Sequence, residues 1–114
     1  MRVLMAQFRI TPDSLTQFET ARNKILSALS REQPNGVHYT WCRLADGVSF
    51  MGWLELDEGI ENPLANMDAG KEFMENIRNW VAGSSVREEL HVVGSYRSIR
   101  ETPSLAFNET ELTS

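Results

Sequence analysis

His38 and Glu55 are equally spaced about the dipeptide Asp46-Gly47. A carboxylate opposite a histidine favours the imidazolium or fixes the ring tautomer. Such a pair can act as a general base near neutral pH, and deprotonating a phenol or hydroquinone would suit it. The resulting electron-rich anion can react with O2 directly, without a metal. Gln7 offers an amide to hydrogen-bond a carbonyl or superoxide. Trp53, Met51 and Met5 would wall a planar ring, with His91 as a further substrate contact. A cross-strand His–Glu pair at a sheet end is also an ordinary solvated contact, worth a few tenths to ~1 kcal/mol. His38, His91 and Glu55 have the side-chain types of a two-His-one-carboxylate metal site. They fall on different strands without diagnostic spacing, so no metal and no other cofactor is expected.

Whether these groups meet depends on a hairpin. Asp-Gly between alternating runs predicts a type I′ turn, which needs φ > 0 at both central residues. With Ala45 and Val48 flanking the turn, Arg43 faces Phe50, Trp41 faces Gly52, Tyr39 faces Leu54 and Val37 faces Leu56. On the other side Leu44 meets Ser49, Cys42 meets Met51, Thr40 meets Trp53 and His38 meets Glu55. A slip of one residue would exchange the two faces.

The other elements follow from periodicity. Over residues 2–10, Leu4, Ala6, Phe8 and Ile10 alternate with Val3, Met5, Gln7 and Arg9, which predicts a strand. Thr11-Pro12-Asp13-Ser14 then opens a helix. Leu15, Phe18, Ala21, Ile25, Ala28 and Leu29 form its apolar stripe, and Gln33-Pro34-Asn35-Gly36 ends it. Asn62-Pro63 opens a short helical turn running to Met67. Asp68 recaps a second helix over 69–82, with Phe73, Met74, Ile77, Trp80 and Val81 inward and a break near 68–70, since Gly70 is awkward inside a helix. Residues 88–98 alternate again, with Leu90, Val92, Gly94 and Tyr96 against Glu89, His91, Val93, Ser95 and Arg97. A polar tail over 100–114 follows the domain of residues 1–99.

The order β-α-β-β-α-β is the ferredoxin-like split βαβ pattern, an α+β fold. Two helices cover only one face of its four-stranded antiparallel sheet. The face of Leu4, Ala6, Phe8, Ile10, Phe50, Leu54, Leu56, Leu90 and Val92 should be that one, with Tyr39 and Trp41 in its core. The second face carries Val3, Met5, Met51, Trp53 and Val93, too apolar a patch for plain exposure. A second copy packed sheet against sheet would cover it. Arg9 and Arg97 near the strand ends suit inter-subunit salt bridges, or a grip on a substrate carboxylate.

With 114 residues the chain is one domain by size, burying roughly 65% of its unfolded surface, so dimerisation is a natural supplement. A net charge of −5 argues against nucleic acid and anionic membrane as partners. Cys42 is the only cysteine, which excludes an intrachain disulfide and fits a reducing, cytoplasmic setting. No run approaches the ~18 apolar residues of a membrane span.

The element order, a tryptophan in the second half and the closing stretch Glu88-Glu89-Leu90-His91-Val92-Val93-Gly94-Ser95-Tyr96-Arg97 resemble the dimeric α+β barrel superfamily. The nearest branch is the antibiotic biosynthesis monooxygenase-like proteins, and the resemblance covers residues 1–98. It implies a homodimer that holds a small hydrophobic or aromatic molecule between sheet and helices, or in the barrel. In some members it implies oxygenation of aromatic polyketides without metal or flavin; others bind without known turnover, or cleave haem. Gln7 stands where the polyketide oxygenases carry a first-strand asparagine. The helix over 69–82 has no histidine to serve as a haem ligand.

Overall fold

The computed structural model describes residues 1–96; Arg97 and the polar tail expected over 100–114 lie outside the described residues. Four strands, β1 (Arg2–Arg9), β2 (Val37–Arg43), β3 (Ser49–Leu56) and β4 (Val86–Leu90), form one sheet in the order β2-β3-β1-β4. All three pairings are antiparallel. Helix α1 (Leu15–Glu32) joins β1 to β2, and helix α2 (Asp68–Asn76) lies between β3 and β4. This is the expected α+β arrangement with both helices on one face.

The hairpin register is the predicted one, with Trp41 opposite Gly52 and His38 opposite Glu55. The turn is not type I′, since Gly47 has φ 78° while Asp46 stays at negative φ. Asp46 replaces the second left-handed residue with hydrogen bonds. Its carboxylate accepts the N–H groups of Val48 at 3.0 Å and Ser49 at 2.8 Å, and the Ser49 hydroxyl at 2.6 Å. The Ser49 hydroxyl first, then the two amides, hold the Asp46 carboxyl below its ordinary value.

Helix α1 enters through a 3-10 turn at Pro12–Ser14 and buries Phe18, Ala21, Ile25 and Ala28, the expected stripe. It ends at Gln33, whose left-handed backbone (φ 46°) lets its N–H reach the Leu29 carbonyl. The second helical region is shorter than expected. After α2 the chain tightens into a 3-10 turn at Ile77–Asn79, and Trp80 and Val81 leave the helix. The Trp80 carbonyl accepts the Thr11 N–H at 2.8 Å, and Val81 bridges to Ile10. This segment therefore extends the sheet edge rather than the helix stripe.

The break expected near 68–70 falls at Met67, whose extended backbone separates the 3-10 turn Pro63–Asn66 from α2, and Gly70 lies inside α2. It sits in the first turn where the helix crosses the 3-10 turn Pro63–Asn66, and a Cβ there would collide with the Leu64 carbonyl. The glycine serves close approach, not flexibility.

The last strand differs most from expectation. β4 covers 86–90, and residues 91–96 continue outside it. Leu90 pairs with Val3 and Glu89 with Leu4. This places Leu90 on the open face and Glu89 on the helix side, the reverse of the expected assignment, and Arg87, opposite Ala6, joins Glu89 there. Val92 is half exposed rather than core. Glu89 ion-pairs with Arg2 at 3.5 Å. As an edge strand β4 has little burial on either side, so burial does not dictate its facing.

Gly70→Ala should destabilise the protein by about 1–3 kcal/mol, despite alanine's better helix propensity. The urea unfolding midpoint measures this; an unchanged or raised midpoint would mean that α2 and Leu64 are not in close contact.

Candidate functional site

The sheet's helix-side face is not fully filled. A cavity of about 710 Å³ lies between it and the Leu64–Met74 region, floored by Leu4, Ala6, Gly52 and Leu54. That is a usual size for a small-molecule site, about 300–1,000 Å³. The register explains the hollow. Trp41, Gly52, Ala6 and Arg87 form one row across all four strands. The two central positions of that row carry almost no side chain.

Trp41 turns its indole over Gly52, where a Cβ would come within 2.7 Å of the ring. The indole is also stacked with Phe8 at 6.2 Å and edge-on to Phe18 at 5.7 Å and Tyr39 at 5.9 Å. Phe73 of α2 closes the cluster at 6.1 Å from it. Such pairs add about 0.5–1.5 kcal/mol each beyond area burial, so the indole's orientation is fixed from several sides.

Polar groups in this wall are few. The Trp41 Nε1 is buried without a hydrogen-bond partner, an arrangement that costs about 1–3 kcal/mol. Burial pushes the Tyr39 hydroxyl up to about 12. The nearby Trp41 N–H and the Arg22 charge oppose that shift without reversing it, and the indole N–H does not reach hydrogen-bond geometry. Tyr39 is thus a neutral phenol at physiological pH. The Asn62 side chain is occupied, accepting the Leu64 N–H at 2.9 Å. Lys71, Glu75, Arg87, Glu88 and Glu89 contribute charge around the cavity.

The residues singled out from sequence fall elsewhere. His38, Glu55, Trp53, Met51, Met5 and Gln7 share the open face, as the pairing requires. His38 and Glu55 stand opposite one another but make no hydrogen bond or ion pair, and the His38 Nδ1 is buried without a partner. The expected carboxylate control of the imidazole is therefore not formed in the single chain. His91 lies beyond β4, exposed, and does not join them. Met5 also borders the cavity. Among the described residues no group of three or more His, Cys, Asp or Glu side chains could hold a metal ion. Nor is any helix among them long and apolar enough to cross a membrane.

Tyr39 and Trp41 pack against the core as expected and also wall the cavity, a site between sheet and helices that the family resemblance allows and the residue pattern alone does not locate. The usable signal was Trp41 opposite Gly52 and Ala6, a large ring beside two near-absent side chains.

Solved structures share this architecture. An antibiotic biosynthesis monooxygenase superposes with a TM-score of 0.65 at 13% identity, over 82% of this chain and 100% of its own. The chain has the antibiotic biosynthesis monooxygenase fold. SnoaB, a cofactor-independent oxygenase from Streptomyces nogalater, matches with a TM-score of 0.64 at 12% identity, over 85% of this chain and 97% of its own. Rv0793 from Mycobacterium tuberculosis gives a TM-score of 0.68 at 13% identity, over 82% and 96% respectively. At such identities the likeness is one of fold. No family model matches the sequence, and no curated protein sequence does. The monooxygenase fold accounts for the element order and for the two helices on one side of the sheet.

The raised Tyr39 value sets an alkaline limit. An unfolded tyrosine ionises near 10, the folded one near 12. The unfolded state therefore binds fewer protons between those values, and stability falls as pH rises through them. Tyr39→Phe should remove that loss, at most about 3 kcal/mol. Urea titrations at pH 8 and pH 11.5 test it; equal alkaline sensitivity in both proteins would show that Tyr39 is not buried.

Proposed function

We propose that the cavity beneath α2 holds a planar aromatic molecule of phenol, hydroquinone or polyketide type, and that the protein oxygenates it without a cofactor. The aromatic-lined cavity of about 710 Å³ carries this reading. A deprotonated ligand seated there is the form that can pass electrons to O2. In the net reaction a ring C–H ortho or para to the phenolate (the CH2 of its keto tautomer) becomes a carbonyl with one oxygen atom of O2, while the other leaves as water with the hydrogens of that carbon and of the phenol. The shared fold of SnoaB, named as a cofactor-independent oxygenase, supports the same reading. Aromatic walls at Phe8, Trp41 and Phe73 suit a flat ring.

An oxygen electrode with a panel of hydroquinones tests it. Uptake should exceed the buffer rate and fall by up to about tenfold in Trp41→Ala, the loss of one aromatic contact from the cavity wall. His38→Ala should leave uptake largely intact, because His38 lies on the other face of the sheet. The opposite pattern would place the chemistry at His38 and Glu55, with Gln7 beside them. Binding without uptake would leave a non-catalytic ligand-binding protein, and a Soret band on adding haem would favour haem handling instead.

The open face supports a second part of this reading, a homodimer. Met5, Met51 and Trp53 line it beside the already buried Val3, joined by Val86 at 40% and Leu90 at 37% exposure. A twin sheet packed there would cover the part-exposed ones. Met51→Lys should yield a monomer in sedimentation, since an unpaired charge would be buried. A variant that still dimerises would rule out this interface.

A further inference from the structure

The cavity has a cation on the β4 side that the proposed chemistry does not use. Arg87 stands opposite Ala6, in the same cross-sheet row as Gly52 and Trp41. Its guanidinium lies over the Phe8 ring, 5.6 Å from the centroid. That ring is itself 2% exposed and stacked with Trp41. Among the described residues Arg87 makes no ion pair, because the acid on the same face of β4, Glu89, is taken by Arg2 at 3.5 Å. Glu88 pairs with Met5, so alternation directs it toward the open face, although it also borders the cavity. Glu75 and Lys71 reach the rim from α2 as exposed groups of opposite sign.

We propose that Arg87 makes this site selective for aromatic molecules that carry a carboxylate. The inference rests on the reading that the cavity binds an aromatic ring and deepens it by naming the substrate class. A ring seated over Ala6 would have the Trp41 indole on one side and the Arg87 guanidinium on the other. The carboxylate would meet the planar fork of the guanidinium, a geometry suited to two parallel N–H···O bonds. Stacking on Phe8 holds that fork in place before the ligand arrives, which lowers the entropy lost on binding.

The test compares naphthalene carboxylate with the corresponding carboxamide, probes of nearly equal shape and different charge. Binding is followed by tryptophan fluorescence and calorimetry at pH 7 and low salt. The carboxylate should bind at least about tenfold more tightly than the amide. Arg87→Gln should abolish that preference and leave amide affinity unchanged, and Arg87→Lys should restore part of it. Arg87 is exposed on an edge strand, so the variants should melt as the wild type does. Equal binding of the two probes, or a preference that survives Arg87→Gln, overturns the role of Arg87 while leaving the aromatic cavity standing. If neither probe binds, the cavity reading itself fails and this inference falls with it.

Discussion

The Trp41 indole lying on Gly52 is the contact from which the rest of the site is built. Without a Cβ at Gly52 the ring can lie against the sheet, where it meets Phe8, Phe18, Tyr39 and Phe73. Those partners come from β1, α1, β2 and α2, so together with Gly52 on β3 one side chain ties together three of the four strands and both helices. The same contact leaves the next position along the row, Ala6, with only a methyl group. A sheet whose central row carries glycine and alanine cannot fill the space beneath a helix. Protein interiors elsewhere close such gaps with larger side chains. Here the gap persists because α2 is held by something other than contact with the sheet centre.

That other support is the 3-10 turn Pro63–Asn66. Asn62 caps it, and Gly70 lets α2 cross it at backbone contact. Phe73 and Ile77 anchor the far side of α2 in the aromatic and aliphatic core. The helix is thus propped at its start by backbone against backbone and pinned later by its buried stripe. Met74, on the same helix, is left half exposed at the cavity edge. The hollow is a consequence of how α2 is propped, not of weak packing in general: Phe8, Phe18, Phe50, Ile10, Ile25 and Leu56 are almost wholly buried around it.

Much of this was legible in the sequence, and the failures share a cause. Asp46-Gly47 located the hairpin, and symmetry about it gave the β2–β3 register, although the turn reached that register through Asp46 hydrogen bonds rather than two left-handed residues. The stripes of α1 and the alternation of β1 were legible because each of these elements has one strongly buried side. β4 has no such contrast. Its alternation told which residues share a face, but not which face, and Leu90 looked inward only because leucine usually is. The cavity was not legible for a different reason. Tyr39 and Trp41 have the composition of core residues, and whether a core position is filled or hollow depends on how far a helix from another part of the chain stands off. No local pattern records that distance. Attention went instead to His38 and Glu55, whose opposition across the hairpin is real but whose side chains do not bond.

The two faces of the sheet are nevertheless not independent, and β4 is where they couple. It is five residues long and alternates between them, with Val86 and Leu90 on the open face and Arg87 and Glu89 on the cavity side. As an edge strand bonded only to β1, it is held by few backbone hydrogen bonds, and all five of its residues are exposed in the single chain. In the proposed dimer, apolar packing at Val86 and Leu90 would press β4 onto β1. Each side chain so held fixes the backbone of its neighbour, and the guanidinium of Arg87 is placed by that backbone together with the Phe8 ring. Assembly would then sharpen the geometry of the cavity without contributing any residue to it. The apolar residues of the open face and the charged edge of the cavity are two readings of one short strand.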